Sequence, residues 1–490
     1  VPTNSYDLVV IGDSFPGLVT ATLCAKRGMR VLLASQGASP ESYRLGPYDL
    51  PVRALPLTGL ESPAALRVVG ELNFTHLLRR RLQEYTPSFQ FVAPNVRLDI
   101  TDDNIALGRQ LTRELVGNGA AEASELVGRF DASGLGLDAV MTLDAAFPAT
   151  GFRSRREVSR AIEAVVAPEI PDGINPAVRA LLAGPAAISS GTLDPITSDI
   201  ARARALHTWR RGVARLEGGW QELHDIFRDK FASHGGEVRE IWPEEITTSW
   251  GKANGLRTRG GETIGAEQLV AALPVDQLVD LMPKPPKRLV QMSESLSPVG
   301  YRYTLNLVLD EAGLPEGMGA NVLVVTDPDK PLVGDNAFAL YVAPPDDEAR
   351  IHVVIEATCP KPDGSGSLDE ALADLRVRLR ERLEEVMPFS RDHVLCAHSP
   401  HESVEAEGLS DELAAIAEPV PLWPALPDAP LGLSAASYGV GLKRLTLAND
   451  QILPGLGIEG AFLTGWCAAA VASGGKRKDF LKDEFVTSAQ

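Results

Sequence analysis

The stretch DLVVIGDSFPGLVTATLCAKRGMRVLLAS, residues 7–35, decides the fold. Residues 6–11 form a short apolar run rich in β-branched side chains, followed by a glycine turn, which reads as a buried parallel strand. Residues 17–28, GLVTATLCAKRG, are small enough to let a helix lie close on a sheet, and Gly28 is its stop signal. Residues 30–34 supply a second strand, so the stretch is a βαβ unit.

The turn inside this unit reads Gly12-Asp13-Ser14-Phe15-Pro16-Gly17, where a dinucleotide-binding unit has G-x-G-x-x-G. Gly12 makes the tight turn and Gly17 lets the helix pack on the strand. The middle position is bare in the motif so that backbone can approach a pyrophosphate, and here it is Ser14. Asp13 and Ser14 are side-chain types that cap the same helix N–H groups an anion would use. The chain is expected to supply its own anion or cap there, with the helix beginning near Phe15.

Three later stretches belong with this unit. Residues 214–250 read as a Gly-Gly turn, a helix over about 220–233 and a strand after Gly235-Gly236. Residues 255–274 predict a hairpin at Gly260-Gly261 leading into a buried strand over 268–273. Residues 457–475 predict a strand, a turn at Gly465 and an Ala-rich helix. The nucleotide-binding-like domain is therefore discontinuous, over 1–60, 211–294 and 441–490. Between its parts lie a largely helical insertion, 61–210, and a sheet-containing insertion, 295–440, with one long helix in SLDEALADLRVRLRERLEEVM. The Pro-rich residues 418–430 read as a surface crossing.

Composition limits the partners. The 490 residues are 44% hydrophobic and 23% charged, a globular balance too long for one core. A formal charge of −18 argues against nucleic acid, whose phosphates are held by excess Lys and Arg. The four cysteines, Cys24, Cys359, Cys396 and Cys467, have neither zinc-site nor disulfide-framework spacing and read as buried thiols of a cytoplasmic protein. No apolar run reads as a membrane span, so membrane contact would be peripheral. The Arg-rich segments HLLRRRLQ, GFRSRREVSRAIEA and ALHTWRRGVARL are its candidates, against the simpler reading that their arginines pair with the excess acids. No catalytic or metal-ligand constellation emerges, and HSPHES (398–403) reads as a strand-end loop.

The stretches YDLVVIG, GLVTA, LEGGWQEL, GGEV, RGGETIGAEQLVAALP, TLNLVLDEAGLPEGM and LPGLGIEGAFLTG, in this order, resemble the phytoene desaturase and amine oxidase branch of FAD-dependent oxidoreductases over nearly the whole chain. The resemblance implies a Rossmann-like α/β fold of the glutathione-reductase type, with FAD extended along the discontinuous domain. An inserted α+β substrate domain would then cover a mostly apolar tunnel.

Set against the family pattern, the FAD contacts are degenerate. Ser35 stands where an acid would hold ribose. The G-G-R segment facing the pyrophosphate is missing, with Arg44 the only nearby replacement. Pro243 falls where a backbone N–H would read adenine, and proline has none. Gly465-Trp466 stands where the family has G-D or G-E before a loop and G-A-x-x-S-G. Five altered contacts would remove about 5–10 kcal/mol of binding. The sequence reading is thus a flavoenzyme-fold protein without cofactor, in a structural, partner-binding or apolar-ligand-binding role, with Trp466 filling the flavin hollow. The protein partner would be a complex subunit. The alternative is an active FAD-dependent oxidoreductase acting on an isoprenoid, amine or other apolar substrate.

Overall fold

The structure, a computed structural model, describes residues 5–37, 40–54, 56–115, 119–364, 366–405, 412–413, 415–426 and 429–474. The last nucleotide-domain segment is therefore seen only as far as 474.

Two sheets organise the chain. The first is seven-stranded, in the order Glu237–Glu240, Val31–Ser35, Ser5–Ile11, Thr263–Ala271, Lys252–Thr258 and Pro243–Ser249, with Leu445–Leu447 also paired to Thr263–Ala271. The pairings of Ser5–Ile11 with its two neighbours, and of Leu445–Leu447 with Leu269–Ala271, are parallel, whereas Lys252–Thr258 runs antiparallel. Thr263–Ala271 forks: its first residues pair with the hairpin strand and its last with Leu445–Leu447. Helices Phe15–Lys26, Gly219–Ser233 and Gly457–Ala472 share one core with this sheet.

The second sheet is eight-stranded, ordered Val394–His398, Gly300–Asp310, Arg350–Pro360, Ala337–Val342, Asn321–Val325, Phe89–Ala93 and Val96–Ile100, with Val420–Leu422 on Gly300–Asp310. One face packs on helix Leu368–Val386 through Leu372, Leu375, Leu379 and Leu383. Two of its strands thus come from 61–210, the stretch read as helical, because Phe89 and Phe91 alternate inward with period 2. Val420–Leu422 likewise corrects the surface-crossing reading, pairing with Gly300–Arg302 beside buried Trp423.

The largest departure lies near the C-terminus. Residues 457–472 are one helix, with no strand and no turn at Gly465; the strand lies earlier, at Leu445–Leu447. This helix is buried nearly all round, so its sequence carries no 3.6-residue polarity pattern to separate it from a strand. Gly465 marks close packing instead: a Cβ there would lie 2.6 Å from that of Val19, and the Thr20 hydroxyl donates to the Gly465 carbonyl at 3.1 Å. Residues Pro454–Ala472 are long and apolar enough to cross a membrane, contrary to the sequence reading, but 78% of that window is buried within the fold. All four cysteines are buried, and none forms a disulfide among the described residues.

Candidate functional site

Register builds the site. Ile11 pairs with Ala34 and Ala271, and Ala271 with Leu447, so four of the five parallel strands end in one row. The residues that follow each strand, 12–14, 35–36, 272–273 and 448–450, emerge together at that carboxyl edge. This is where open α/β sheets place their ligands.

At the first turn Gly12 has φ +103°, and a Cβ there would lie 2.6 Å from the Ala272 carbonyl oxygen; one at Gly17 would overlap the Ala272 side chain. Both glycines are therefore required by the approach of the neighbouring strand. Ser14 is the N-cap of helix Phe15–Lys26: its Oγ accepts from Gly17 N at 3.4 Å and donates to the Ala448 carbonyl at 3.1 Å. Asp13 does not cap this helix. Its Oδ2 accepts from Gln36 N at 2.8 Å, directly beyond Ser35, while Oδ1 is buried without a partner. The carboxylate missing at position 35 is thus brought to the same strand end from position 13. Ser35 itself uses its Oγ to accept from Gly37 N at 3.3 Å.

The acid on the last strand is Asp450, not position 466. The pattern of an acid, a loop and G-A-x-x-S-G falls on Asn449-Asp450, residues 451–456 and Gly460-Ala461-Phe462-Leu463-Thr464-Gly465. Asn449 donates to the Leu273 carbonyl at 2.8 Å and to the Gln451 side chain at 2.9 Å, which fixes the loop. Asp450 next to it is uncovered, yet so much protein surrounds it that burial raises its carboxyl above the usual range, an effect Arg53 partly offsets.

Trp466 lies on the helix itself, 2% exposed, with the Arg67 guanidinium 3.6 Å from its ring centroid. Arg67 in turn donates to the carbonyls of Met141, Thr142 and Leu143. The indole therefore packs on helix Pro63–Glu71 and not at a turn beside a flavin. Arg44 is also displaced: it is exposed on the hairpin Ser42–Leu45/Tyr48–Pro51, which buries Tyr43, Leu45, Tyr48 and Leu50 against Val308 and Cys396 of the second sheet. Its Nε reaches only the Gly46 carbonyl. Pro243 is buried opposite Thr258 and donates nothing; the chain before it is anchored by Ile241 N to the Ser35 carbonyl at 2.8 Å.

Arg53 is the basic residue that the sequence reading missed. Its guanidinium stacks 3.9 Å from the Trp220 ring centroid and pairs with Glu41 at 3.3 Å. His224, stacked on Phe15 at 5.6 Å between centroids, lies 3.3 Å from Glu41 through Nδ1. Burial, with Arg53 and Arg228, pushes this imidazole down to about 3, so it is neutral. Arg53 lies within electrostatic reach of Asp450 on one side and Glu356 of the second sheet on the other.

The face of the second sheet turned away from helix Leu368–Val386 is apolar on one side, through Leu323, Val325, Ala337 and Ala339, and beside the hairpin, at Val308 and Cys396, but polar between them, where the resemblance implied an apolar tunnel. Thr304 lies opposite Glu356 and Arg302 opposite Thr358. Arg302 donates to Glu356 and to the carbonyls of Ile188 and Ser190. Thr304 Oγ1, Asn306 Oδ1, Tyr341 OH, Glu356 Oε2 and Thr358 Oγ1 are all buried without a partner. Among the described residues no group of three or more His, Cys, Asp or Glu is placed to hold a metal ion.

Of the Arg-rich segments, two are engaged: Arg81 pairs with Glu222, and Arg204 and Arg210 are buried in acid and carbonyl contacts. On helix Phe152–Glu163, Arg155, Arg156 and Arg160 are exposed and make no ion pair among the described residues, and Phe152 at its tip is 86% exposed.

No family model matches the sequence, and no curated protein matches it. Solved structures do match in fold. An oxidoreductase from Methanosarcina mazei aligns with TM-score 0.58 at 13% identity, covering 94% of this chain and 98% of its own. Putrescine oxidase bound to putrescine gives 0.59 at 14% identity, covering 96% and 100%. Cyclohexylamine oxidase from Brevibacterium oxydans IH-35A gives 0.56 at 13%, covering 96% and 99%. The chain shares the fold of these oxidases over 94–96% of its length.

Proposed function

We propose that this chain is an FAD-dependent oxidoreductase whose substrate carries a polar, hydrogen-bonding part. The observation that carries the reading is Asp450, an uncovered carboxylate at the end of the last parallel strand, in register with the Gly12–Gly17 turn. Asp13, whose Oδ2 accepts from Gln36 N at the end of the second strand, adds a carboxylate there, where position 35 has only a serine hydroxyl. The residues present therefore fit the dinucleotide: Asp13 would hold ribose hydroxyls, Asp450 the ribityl and phosphate side, and the N-terminus of helix Phe15–Lys26 the pyrophosphate. FAD, when bound, supplies the two-electron acceptor, and the chain's own residues orient it and the substrate. The polar floor argues against a pure hydrocarbon, since burying unpaired donors and acceptors against one costs about 1–3 kcal/mol each. An amine or alcohol answers that floor. The fold likeness to putrescine and cyclohexylamine oxidases is compatible with the former and does not select it.

A cofactor-free scaffold is the second reading, favoured by Ser14, whose Oγ takes up the Gly17 N–H that a pyrophosphate would use. The two are separated by anaerobic titration of the FAD-loaded chain with panels of primary amines, alcohols and isoprenoid hydrocarbons. Bleaching of the flavin absorbance by a polar panel supports the proposal; bleaching by hydrocarbons alone overturns the substrate class, and failure to load flavin overturns the cofactor.

A further inference from the structure

Helix Asp199–Arg211 presents Arg204, His207, Thr208 and Arg211 on one face, spaced three and four residues apart, to a cleft of about 350 Å³. Its other walls include residues 57–62 and the helices Pro63–Glu71 and Thr75–Arg81, and none of residues 12–14, 35–36, 272–273 or 448–450 lines it. Leu60, Leu66, Leu78, Leu82 and Leu135 supply an apolar strip along it, edged by Glu61, which pairs with Arg79, and by Glu84 and Asp138.

Not all the polar groups there are free. Arg204 is saturated, with Nε 2.8 Å from Glu459 Oε2 and Nη1 on the Gly134 carbonyl and Asp138. His207 differs. Its Nδ1 is held by Asp131 Oδ1 at 2.9 Å, from outside the cleft, and the residue is only 4% exposed. Its Nε2 has no partner among the described residues and is not sealed in protein. One turn on, Arg211 is exposed at the cleft mouth with no ion pair among the described residues. Asp131 thus fixes the ring so that one hydrogen-bonding edge faces the cleft, and a guanidinium stands beside it.

An oriented imidazole, a neighbouring arginine and a leucine-lined wall of this volume together form a site for an amphipathic molecule. We infer that this cleft binds an apolar carboxylic acid, its head group on Arg211 beside His207 and its chain along Leu60, Leu66, Leu78 and Leu82. The inference is independent of whether FAD binds at the other site.

The test is calorimetric titration of the full chain with dodecanoate and with dodecan-1-ol, before and after saturation with FAD. One dodecanoate per chain is expected, with the alcohol weaker and FAD without effect. Arg211→Gln should weaken dodecanoate about tenfold and leave the alcohol unchanged. Leu66→Trp, at a half-open wall position, should obstruct both. A melting curve confirms that each variant is folded. No binding to the parent chain, or binding unchanged in both folded variants, overturns the inference.

Discussion

The hydroxyl of Ser14 donates to the carbonyl of Ala448 at 3.1 Å, tying the first turn to the end of the last parallel strand two residues before Asp450. The serine that replaces the bare middle position of the motif therefore points sideways along the sheet edge. This geometry turns the weakest residue of the motif into a brace for the site, and several outcomes can be derived from it.

Asp450→Asn should remove an acceptor of charge-assisted hydrogen bonds, worth about 1.5–3 kcal/mol, and so weaken FAD by about ten- to a hundredfold. Without FAD the same change should stabilise the fold at neutral pH. The carboxyl is raised in the folded chain. The unfolded chain therefore gives up its proton first, and the stability tied to Asp450 is lost as pH rises through the folded value. Melting temperatures of parent and Asp450→Asn without FAD should converge in acid and separate in favour of the variant towards pH 8. A parent that gains on the variant with rising pH would contradict this.

Asp13→Ala should cut FAD affinity by a similar factor while costing little stability, since Asp13 makes one backbone hydrogen bond and leaves an oxygen unpaired. Adding Ser35→Glu to that variant should restore part of the affinity, because both positions serve the same strand end. Equilibrium dialysis with FAD measures both; a double variant no better than Asp13→Ala argues against the exchange.

Trp466→Ala should destabilise the chain by about 3–5 kcal/mol, as expected for a buried indole. It should leave FAD affinity unchanged, because the ring packs under Arg67. Chemical denaturation with and without FAD tests both halves; a large change in affinity would return Trp466 to the cofactor site.

The exposed Phe152 with Arg155 and Arg156 should bring the chain to anionic vesicles. Flotation with phosphatidylserine-containing liposomes is expected for the parent and lost on Arg155→Glu/Arg156→Glu. No flotation of the parent excludes a lipid role for this helix.

What was legible in the sequence follows the strength of local pattern. The βαβ unit at 7–35, the helix near 220–233 and the hairpin at Gly260-Gly261 each carry a turn signal and a clear period. The C-terminal stretch does not: helix Gly457–Ala472 is buried nearly all round, and its Gly465, read as a turn, serves contact with Val19 and Pro16. That misreading placed the strand end at position 466, whereas the strand is Leu445–Leu447 and Asp450 follows it. LTLAND, a short β-type run ending in an acid, was the available signal. The partner of Asp13, and Arg53 altogether, were illegible for another reason: each acts through a strand end or a ring far away in sequence, at Gln36 and Trp220.

The most direct measurement is the FAD content of the purified chain, read from its visible spectrum and from flavin released on denaturation, after incubation with excess FAD and removal of the unbound fraction. Close to one FAD per chain, reduced several-fold in Asp450→Asn, is the expected result. A colourless chain that releases no flavin, and whose melting temperature excess FAD does not raise, would contradict the account.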